Sequence, residues 1–223
     1  MNEYAIIVAG GSGSRMNSNV PKQYLMIDNK PVIVHTIQRF YDYNSSITII
    51  CCVHNDYIHE VNELMAHYFP EKNWLVTEGG ETRFHSVKNG LNELKDEHAL
   101  VAIHDAARPL VSVSTIQKAM EAAKNHGSGI PVIPVNESLR VVEDLKSKAV
   151  NRNDYKIVQT PQCFQIPLIK RAFAVDYHDS FTDDATVFEY AGNEVRLTIG
   201  NPENIKITLA NDLIVAEKLL NKL

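Results

Sequence analysis

Short apolar runs rich in Val and Ile alternate along the chain with longer segments in which apolar residues recur every three or four positions. The short runs are continuously apolar, which is typical of parallel strands that are buried on both faces. The longer segments have the spacing of amphipathic helices. We expect strands at 4–10, 47–53, 74–79, 99–106 and 129–135, and helices at 32–43, 56–69, 83–94 and 112–127. This order predicts an α/β fold with a Rossmann-like, doubly wound, mostly parallel sheet that binds ligands at the carboxyl ends of its strands.

Local signals predict where two of the helices begin or end. Ser112 or Ser114 is placed to cap the helix at 112–127, and Gly127 is placed to end it. Asp183 and Asp184 stand at the start of a helical run near residue 185. Carboxylates at the first turn of a helix interact favourably with the helix dipole, so we expect a structural role for this pair.

The segment 136–156 breaks the alternation. Two extended stretches, SLRVV and AVNR, flank the polar sequence DLKSK, and this pattern predicts a β-hairpin arm that projects from the sheet. An isolated hairpin is only marginally stable in water. We therefore expect the arm to pack on a second subunit, which predicts a homodimer.

Composition narrows the class of protein. The 223 residues, of which 44% are hydrophobic and 22% charged, fit one globular domain over 1–223. A net charge of -5 argues against non-specific binding of nucleic acid or of an anionic membrane. No apolar stretch approaches the length of a membrane span, and the N-terminus reads as a strand rather than a signal peptide. The three cysteines lack metal-site or disulfide spacing, so we expect a cytoplasmic protein.

The stretch VAGGSGSRMNSNVPKQ follows the first predicted strand and has the composition of a phosphate-binding loop. A Walker loop needs Gly-Lys-Ser/Thr, whereas Lys22 lies between Pro21 and Gln23. A dinucleotide-binding fingerprint needs a third glycine where this chain has Met16. Neither of these two loop types fits.

A nucleoside triphosphate loop of another type fits better. The glycines let backbone N–H groups approach phosphate oxygens without hindrance from a Cβ atom. Arg15 supplies a planar fork of donors and Lys22 a compact positive charge, and both cations suit phosphoryl oxygens. The loop therefore predicts a site for a triphosphate.

Two further strand ends carry polar residues. Asp105 ends the predicted strand at 99–106, and a carboxylate beside a triphosphate suggests a bridging Mg²⁺ ion. The adjacent His104 is expected to be a buried histidine without a chemical role. Residues 79–83, GGETR, follow a strand and open a helix, a place where free backbone N–H groups are available.

Seven motifs occur in an order that resembles a known enzyme family. They are AGGSGSRM, PKQYL, GGETRFHSV, HDAARP, QTPQCF, FTDDA and NIKIT. The series resembles the sugar-nucleotide pyrophosphorylase superfamily and, within it, the cytidylyltransferases that act on 2-C-methyl-D-erythritol 4-phosphate in isoprenoid biosynthesis. The resemblance covers nearly the whole chain. It implies a nucleotidyltransferase-type sheet and transfer of the cytidylyl group of CTP to an alditol phosphate, with Mg²⁺ as cofactor.

The resemblance also implies roles for individual residues. Arg15 and Lys22 would stabilise the α-phosphoryl group, Asp105 would hold Mg²⁺, and Arg152 and Lys206 would hold the acceptor phosphate. The remaining expected substrate contacts are Ala9, Gly10, Gly11, Gly80, Glu81, Arg83, Ser86, Ala106, Arg108 and Ser138.

Three alternatives remain open at this point. The nearest is the same reaction on ribitol 5-phosphate, a related family in which valine often replaces the residue matching Ala107. A regulatory protein that binds CTP without catalysis is a second, although it would have little need for Arg152 and Lys206 on the acceptor side. A dehydrogenase that binds NAD is a more distant third.

Overall fold

The structure, a computed structural model, describes residues 1–11, 20–144 and 146–221. Its strands are β1 (Glu3–Ala9), β2 (Met26–Ile27), β3 (Lys30–Pro31), β4 (Thr48–Val53), β5 (Trp74–Glu78), β6 (Leu100–Asp105), β7 (Ser128–Pro134), β8 (Arg140–Glu143), β9 (Lys146–Ala149), β10 (Lys156–Val158), β11 (Gln162–Gln165) and β12 (Leu197–Ile199). Its α-helices are α1 (Val32–Tyr43), α2 (Ile58–Tyr68), α3 (Arg83–Glu93), α4 (Val113–His126), α5 (Ile166–Ala172), α6 (Asp184–Tyr190) and α7 (Ala210–Leu220). Single turns of 3₁₀-helix occur at Lys22–Tyr24, Asn55–Tyr57 and Arg152–Asp154.

The central sheet has the strand order β10, β7, β11, β6, β1, β4 and β5, and β12 pairs with β7. β1 runs parallel to both β4 and β6, and β5 runs parallel to β4. β11 runs antiparallel between β6 and β7, and β10 is antiparallel to β7. The predicted mostly parallel sheet is confirmed, but the sequence pattern did not reveal β11 or the short strands β10 and β12.

Helices cover both faces of the sheet, as predicted for a doubly wound fold. Alternate residues of β1 point to opposite faces. Ala5 and Ile7 pack in one buried cluster with residues of α1, α2 and α4. Ile6 packs in a second cluster with residues of α3, α5 and α6. The strands are therefore buried on both sides, which explains why their sequences are continuously apolar.

The predicted helix limits agree with the structure where local signals are strong. α1 coincides with the prediction, and Pro31 precedes it. Ser112 caps α4, since its hydroxyl oxygen accepts a hydrogen bond from the backbone N–H of Thr115. Gly127 ends α4 with φ of 91°, a left-handed conformation that favours glycine.

The predicted arm is present as a two-stranded hairpin formed by β8 and β9. All residues of both strands are exposed, including Val142, which is 67% exposed. Within the described part of the chain, the two strands pair with each other and with no other strand. The arm therefore lies outside the core of its own chain.

The strand order reverses between β1 and β6. The chain passes from β1 through β4 to β5 on one side, and it then returns to β6 on the other side of β1. A crevice at such a point, outside the carboxyl ends of the strands, is the common ligand site of open α/β sheets. Among the described helices, none is both long and apolar enough to cross a membrane.

Candidate active site

A cavity of about 310 Å³ opens at the carboxyl ends of β1 and β6, where the strand order reverses. Most of the residues expected from the sequence to contact substrate line it together. These are Ala9, Gly10, Gly11, Lys22, Gly80, Glu81, Arg83, Ser86, Asp105, Ala106 and Lys206. The two loops and the two strand ends singled out in the sequence therefore converge on one cavity.

Three of the expected residues that the structure describes do not line this cavity. Arg108 sits behind Asp105, largely buried, and contacts the carboxylate without lining the cavity. Ser138 and Arg152 are exposed residues of the arm and are not part of the cavity wall. Arg15 lies outside the described residues.

Asp105 is the electrostatic centre of the cavity. Its Oδ2 atom lies 2.9 Å from Lys206 Nζ and 3.2 Å from Arg108 Nε. Its Oδ1 atom lies 3.4 Å from Arg83 Nε. Burial by itself would raise the pKa of Asp105, but Arg83, Lys206 and Arg108 together hold this pKa well below its usual range. The carboxylate is therefore ionised at any physiological pH.

The C-terminal segment brings Lys206 to Asp105. Arg108 Nη1 donates a hydrogen bond of 2.8 Å to the carbonyl oxygen of Asn204. The backbone N–H of Ile207 donates to the carbonyl oxygen of Ala107 at 2.9 Å. These two bonds hold the NIKIT segment (204–208) against the HDAARP segment (104–109). Lys206 lies in the sequence between the bonded residues Asn204 and Ile207, and 38% of its side chain is exposed.

Arg83 bridges two carboxylates. Its Nη1 and Nη2 atoms each donate a hydrogen bond of 2.8 Å to Asp184, one to each carboxylate oxygen. Asp184 was expected only to favour the helix dipole, and this pairing was not foreseen. The neighbouring Asp183 does cap α6, because its side chain accepts a hydrogen bond from the backbone N–H of Thr186. The expectation of a structural role at the helix start is thus confirmed for Asp183, whereas Asp184 also reaches the site.

The loop before α3 is shaped by Ser86. The Ser86 hydroxyl oxygen accepts a hydrogen bond from the backbone N–H of Gly80 at 3.0 Å, and the hydroxyl donates to the carbonyl oxygen of Thr82 at 3.0 Å. A Cβ atom on residue 80 would lie 2.3 Å from the Cβ atom of His85, so this close approach requires glycine. Ser86 is buried, and its hydroxyl holds the loop's shape at the cavity wall.

Gln23 is a further residue of the cavity that the sequence analysis did not single out. It is buried next to Lys22, and its Nε2 atom donates hydrogen bonds to the carbonyl oxygens of Ala9 at 2.7 Å and Gly11 at 3.2 Å. It thereby connects the PKQYL segment to the start of the glycine loop, the glycine-rich segment that follows β1 at Gly10 and Gly11. The sequence feature that could have identified Gln23 is its position directly after Lys22, a candidate phosphate-binding lysine.

His104 is fully buried, as expected, and its ring fixes the backbone around Asp105. With the proton on Nε2, the ring donates to the carbonyl oxygen of Arg108 and accepts at Nδ1 from the hydroxyl of Thr160. The Thr160 oxygen in turn accepts a hydrogen bond from the backbone N–H of Asp105. Burial lowers the pKa of His104 to about 4, so the ring is neutral at physiological pH.

This neutral ring predicts a loss of stability in mild acid. The unfolded chain binds a proton at His104 near pH 6.5, whereas the folded protein does so only near pH 4. The contribution of neutral His104 to the free energy of unfolding is therefore fully present above pH 6.5. It is lost as the pH falls toward 4, which lowers the free energy of unfolding by roughly 3 kcal/mol. Urea unfolding across this range should show the loss, and His104→Gln should reduce it. Burial also lowers the pKa of His35, so His35 adds a loss of stability in the same direction to both the wild type and the His104→Gln variant. Equal pH slopes for the two proteins would contradict the prediction.

Asp105 can provide one ligand for a metal ion. Among the described residues, no cluster of three or more His, Cys, Asp or Glu side chains is assembled for a metal. Mg²⁺ often takes only one or two carboxylates and completes its shell with substrate phosphate oxygens and water. The ammonium group of Lys206 beside Oδ2 shows that the Asp105 carboxylate accommodates a cation on the cavity side. The donor set fits a metal that arrives with a phosphate ligand.

Comparison with known proteins gives one consistent result. A sequence model of the 2-C-methyl-D-erythritol 4-phosphate cytidylyltransferase family matches residues 4–222. A protein of that name from Phocaeicola vulgatus is 47% identical over 220 residues, which cover 99% of this chain and 100% of the relative. Another from Bacteroides thetaiotaomicron is 44% identical over the same coverage.

Solved structures agree with the sequence comparison. The crystal structure of a 4-diphosphocytidyl-2C-methyl-D-erythritol synthase from Anaerococcus prevotii matches with a TM-score of 0.84 at 26% identity. The match covers 99% of this chain and 98% of that one. A 2-C-methyl-D-erythritol 4-phosphate cytidylyltransferase from Francisella tularensis matches with a TM-score of 0.80 at 30% identity, and covers 98% of this chain and 99% of the other.

Proposed function

Because the chain belongs to the 2-C-methyl-D-erythritol 4-phosphate cytidylyltransferase family, we propose from its geometry how individual residues carry out the reaction. The enzyme transfers the cytidylyl group of CTP to 2-C-methyl-D-erythritol 4-phosphate. The products are 4-diphosphocytidyl-2-C-methyl-D-erythritol and pyrophosphate, and the reaction belongs to isoprenoid biosynthesis. The match favours this acceptor over ribitol 5-phosphate, and it favours an enzyme over a regulatory protein that only binds CTP.

The chemical step requires little acid or base chemistry. An oxygen of the acceptor phosphate attacks the α-phosphorus of CTP, and a new P–O bond forms. The bond from the α-phosphorus to the bridging oxygen breaks, and its electron pair leaves with pyrophosphate. The second pKa of a phosphate monoester is about 6, so the nucleophile is already mostly ionised at neutral pH. The difficulty is the repulsion between two anions, and catalysis comes from positioning and fixed positive charge.

The proposed roles are those that the family resemblance implies, and the place of Lys22 and Lys206 at the cavity wall supports them. Arg15 and Lys22 stabilise the α-phosphoryl oxygens and the departing pyrophosphate. Lys206 and Arg152 hold the acceptor phosphate in line with the α-phosphorus. Asp105 would hold Mg²⁺, which when bound would supply positive charge against the phosphates. The observation that carries the proposal is the convergence of Lys22, Lys206 and Asp105 on one cavity at the carboxyl ends of β1 and β6.

The remaining contacts concern the nucleotide. Backbone groups of Ala9, Gly10 and Gly11, together with those of Gly80 and Ala106, are proposed to contact CTP, and Glu81, Arg83 and Ser86 shape the loop around its base. Arg108 and Ser138 are proposed to contact the acceptor. Residues 1–223 are proposed to form one nucleotidyltransferase domain with an arm at about 136–156. The enzyme is also proposed to be cytoplasmic, since a reducing compartment suits its three buried and unpaired cysteines.

A direct assay tests the substrate. The purified protein is incubated with CTP and Mg²⁺ and with either 2-C-methyl-D-erythritol 4-phosphate or ribitol 5-phosphate, and pyrophosphate release is measured. We expect release with the first acceptor and little with the second. Faster release with ribitol 5-phosphate would overturn the choice of acceptor.

Arg152 is proposed to act in the cavity of a second subunit. It is exposed on the arm, outside the cavity of its own chain, where it donates a hydrogen bond to the carbonyl oxygen of Asn136. Exposed apolar residues of the arm and the adjoining strand, including Val142 and Ile157, support a subunit contact there. A homodimer in which each arm completes the partner's site would account for both observations.

A mixed dimer tests this arrangement. Lys22→Ala and Arg152→Ala subunits are co-expressed with different tags, and dimers that contain one of each are isolated. If Arg152 acts in the partner's cavity, one of the two sites is intact, and we expect about half of wild-type turnover from an isologous dimer. If Arg152 acted in its own chain, neither site would be intact, and turnover would stay as low as in the two parent variants. A monomeric protein in solution would also contradict the arrangement.

A further inference from the structure

We propose that Asp184 is a positioning residue for cytidylyl transfer, acting through Arg83 on the carboxylate of Asp105. The inference rests on the proposed role of Asp105 and extends it to a residue that does not line the cavity. Asp184 lies 101 positions from Arg83 in the sequence, at the first residue of α6.

The contact between Asp184 and Arg83 fixes the guanidinium plane. Both carboxylate oxygens of Asp184 accept a hydrogen bond of 2.8 Å, one from Nη1 and one from Nη2. A bidentate pair of this kind adds geometric constraint as well as energy. The Nε atom of the same guanidinium then points at Asp105 Oδ1, at 3.4 Å. The orientation imposed by Asp184 therefore sets the direction from which Arg83 meets Asp105.

Asp184 is itself rigidly placed. Only 1% of its side chain is exposed. The side chain of Gln162, on β11, accepts a hydrogen bond from the backbone N–H of Ala185 at 2.8 Å and donates one to Asp183 at 2.7 Å. β11 pairs with β6, whose last residue is Asp105. The start of α6 is thus connected to the strand next to the one that carries Asp105.

The two oxygens of the Asp105 carboxylate contact different cations. Arg83 takes Oδ1, and Oδ2 is left to Arg108 and Lys206. The side chain of Arg83 is 27% exposed at the cavity wall. Without Asp184, its guanidinium would remain charged but would be free to turn toward a phosphate. Affinity for CTP should then persist, whereas the orientation of Asp105 during transfer should be lost. We therefore expect loss of Asp184 to lower kcat and not to raise the KM for CTP.

A simpler role is that Asp184 only neutralises Arg83 and stabilises the start of α6. The chain offers a matched control for this, because Asp183 is adjacent, lies at the same helix terminus and has no hydrogen bond to Arg83. Asparagine caps helices about as well as aspartate, so Asp183→Asn should preserve the cap on Thr186, although it gives up the hydrogen bond from Gln162. A role confined to the helix terminus predicts similar effects for the two substitutions.

The first test compares Asp184→Asn with Asp183→Asn. We expect Asp184→Asn to lower kcat by about 10–100-fold, as substitutions of residues that orient a ligating group commonly do, with the KM for CTP not raised. Asp183→Asn, which loses the hydrogen bond from Gln162 but leaves the Asp184–Arg83 contact in place, should lower kcat by no more than a few-fold and leave the KM for CTP unchanged. Melting temperatures of both variants are measured alongside. Equal kcat values for the two variants, or a loss in Asp184→Asn that lies wholly in KM, would overturn the proposal.

A second variant approaches the same contact from the other side. Arg83→Lys keeps the positive charge but cannot form the bidentate pair. We expect it to lower kcat to a similar degree, and we expect the Arg83→Lys/Asp184→Asn double variant to be no worse than the more affected single variant. Losses that multiply would overturn the proposal, and a fully active Arg83→Lys would do so even if Asp184→Asn did not fold.

The role of Asp105 itself can be tested separately. An Asp105→Asn variant with wild-type turnover would refute the role of Asp105, and with it the positioning by Asp184. Low turnover of Asp105→Asn beside normal turnover of Asp184→Asn would refute the positioning alone.

Discussion

The Lys22→Ala variant should lose about 10²–10³ in turnover and retain its fold, by analogy with the loss of one oxyanion donor. Lys22 opens the 3₁₀ turn Lys22–Tyr24 at the cavity wall, next to the start of the glycine loop. The incoming triphosphate and the departing pyrophosphate both carry charge that a fixed ammonium group would stabilise. Its removal should therefore raise the barrier to transfer and also weaken CTP binding.

Lys30→Ala provides a matched control for this variant. Lys30 is an exposed residue of β3 a few positions further on, and it does not line the cavity. Both substitutions remove one positive charge from the same part of the chain, so any general effect of net charge should be shared. Pyrophosphate release and melting temperature are measured for both. If Lys22→Ala released pyrophosphate as fast as Lys30→Ala, the assignment of Lys22 would be wrong.

Lys22→Arg separates charge from shape. The guanidinium keeps the positive charge but is planar and larger than the ammonium group. We expect an intermediate turnover, above that of Lys22→Ala and below that of wild type. An Arg variant as inactive as the Ala variant would indicate that the geometry of the ammonium group matters as much as its charge.

The parts of the fold that depend on local signals could be predicted from the sequence. α1 and α4 agree closely with their predicted limits because Pro31, Ser112 and Gly127 act on the backbone directly beside them. The long parallel strands were recognisable because burial on both faces leaves a continuous apolar run. The short strand β11 was missed, since four residues with glutamine at both ends carry no clear period.

The site could be predicted only in part, for a related reason. The residues that end β1 and β6 were expected to meet, because parallel strands place their carboxyl ends at the same edge of a sheet. The contact of Arg83 with Asp184 could not be anticipated, because it depends on how the fold brings the first residue of α6 to the first residue of α3 rather than on either local sequence. The same holds for the three cations around Asp105, of which Lys206 comes from a segment near the end of the chain.

Asp105→Asn should separate CTP binding from turnover. Arg83, Arg108 and Lys206 surround the Asp105 carboxylate, so neutralising it leaves the cavity with more net positive charge. In the absence of Mg²⁺, CTP should therefore bind this variant at least as tightly as wild type. In the presence of Mg²⁺, turnover should fall by about 10²–10³, because the proposed metal ligand and the common anchor of Arg108 and Lys206 are both lost.

Calorimetric titration with CTP in EDTA, paired with pyrophosphate release at increasing Mg²⁺, measures both effects. Lys206→Ala is the informative comparison, because it removes a positive charge from the same contact. Its metal-free affinity for CTP should fall, which is the opposite sign to that of Asp105→Asn. A common direction for the two variants would mean that the carboxylate does not act by balancing these cations. Normal turnover of Asp105→Asn at low Mg²⁺ would mean that it does not hold the metal, since a ligand that can be neutralised without raising the Mg²⁺ requirement is not a ligand.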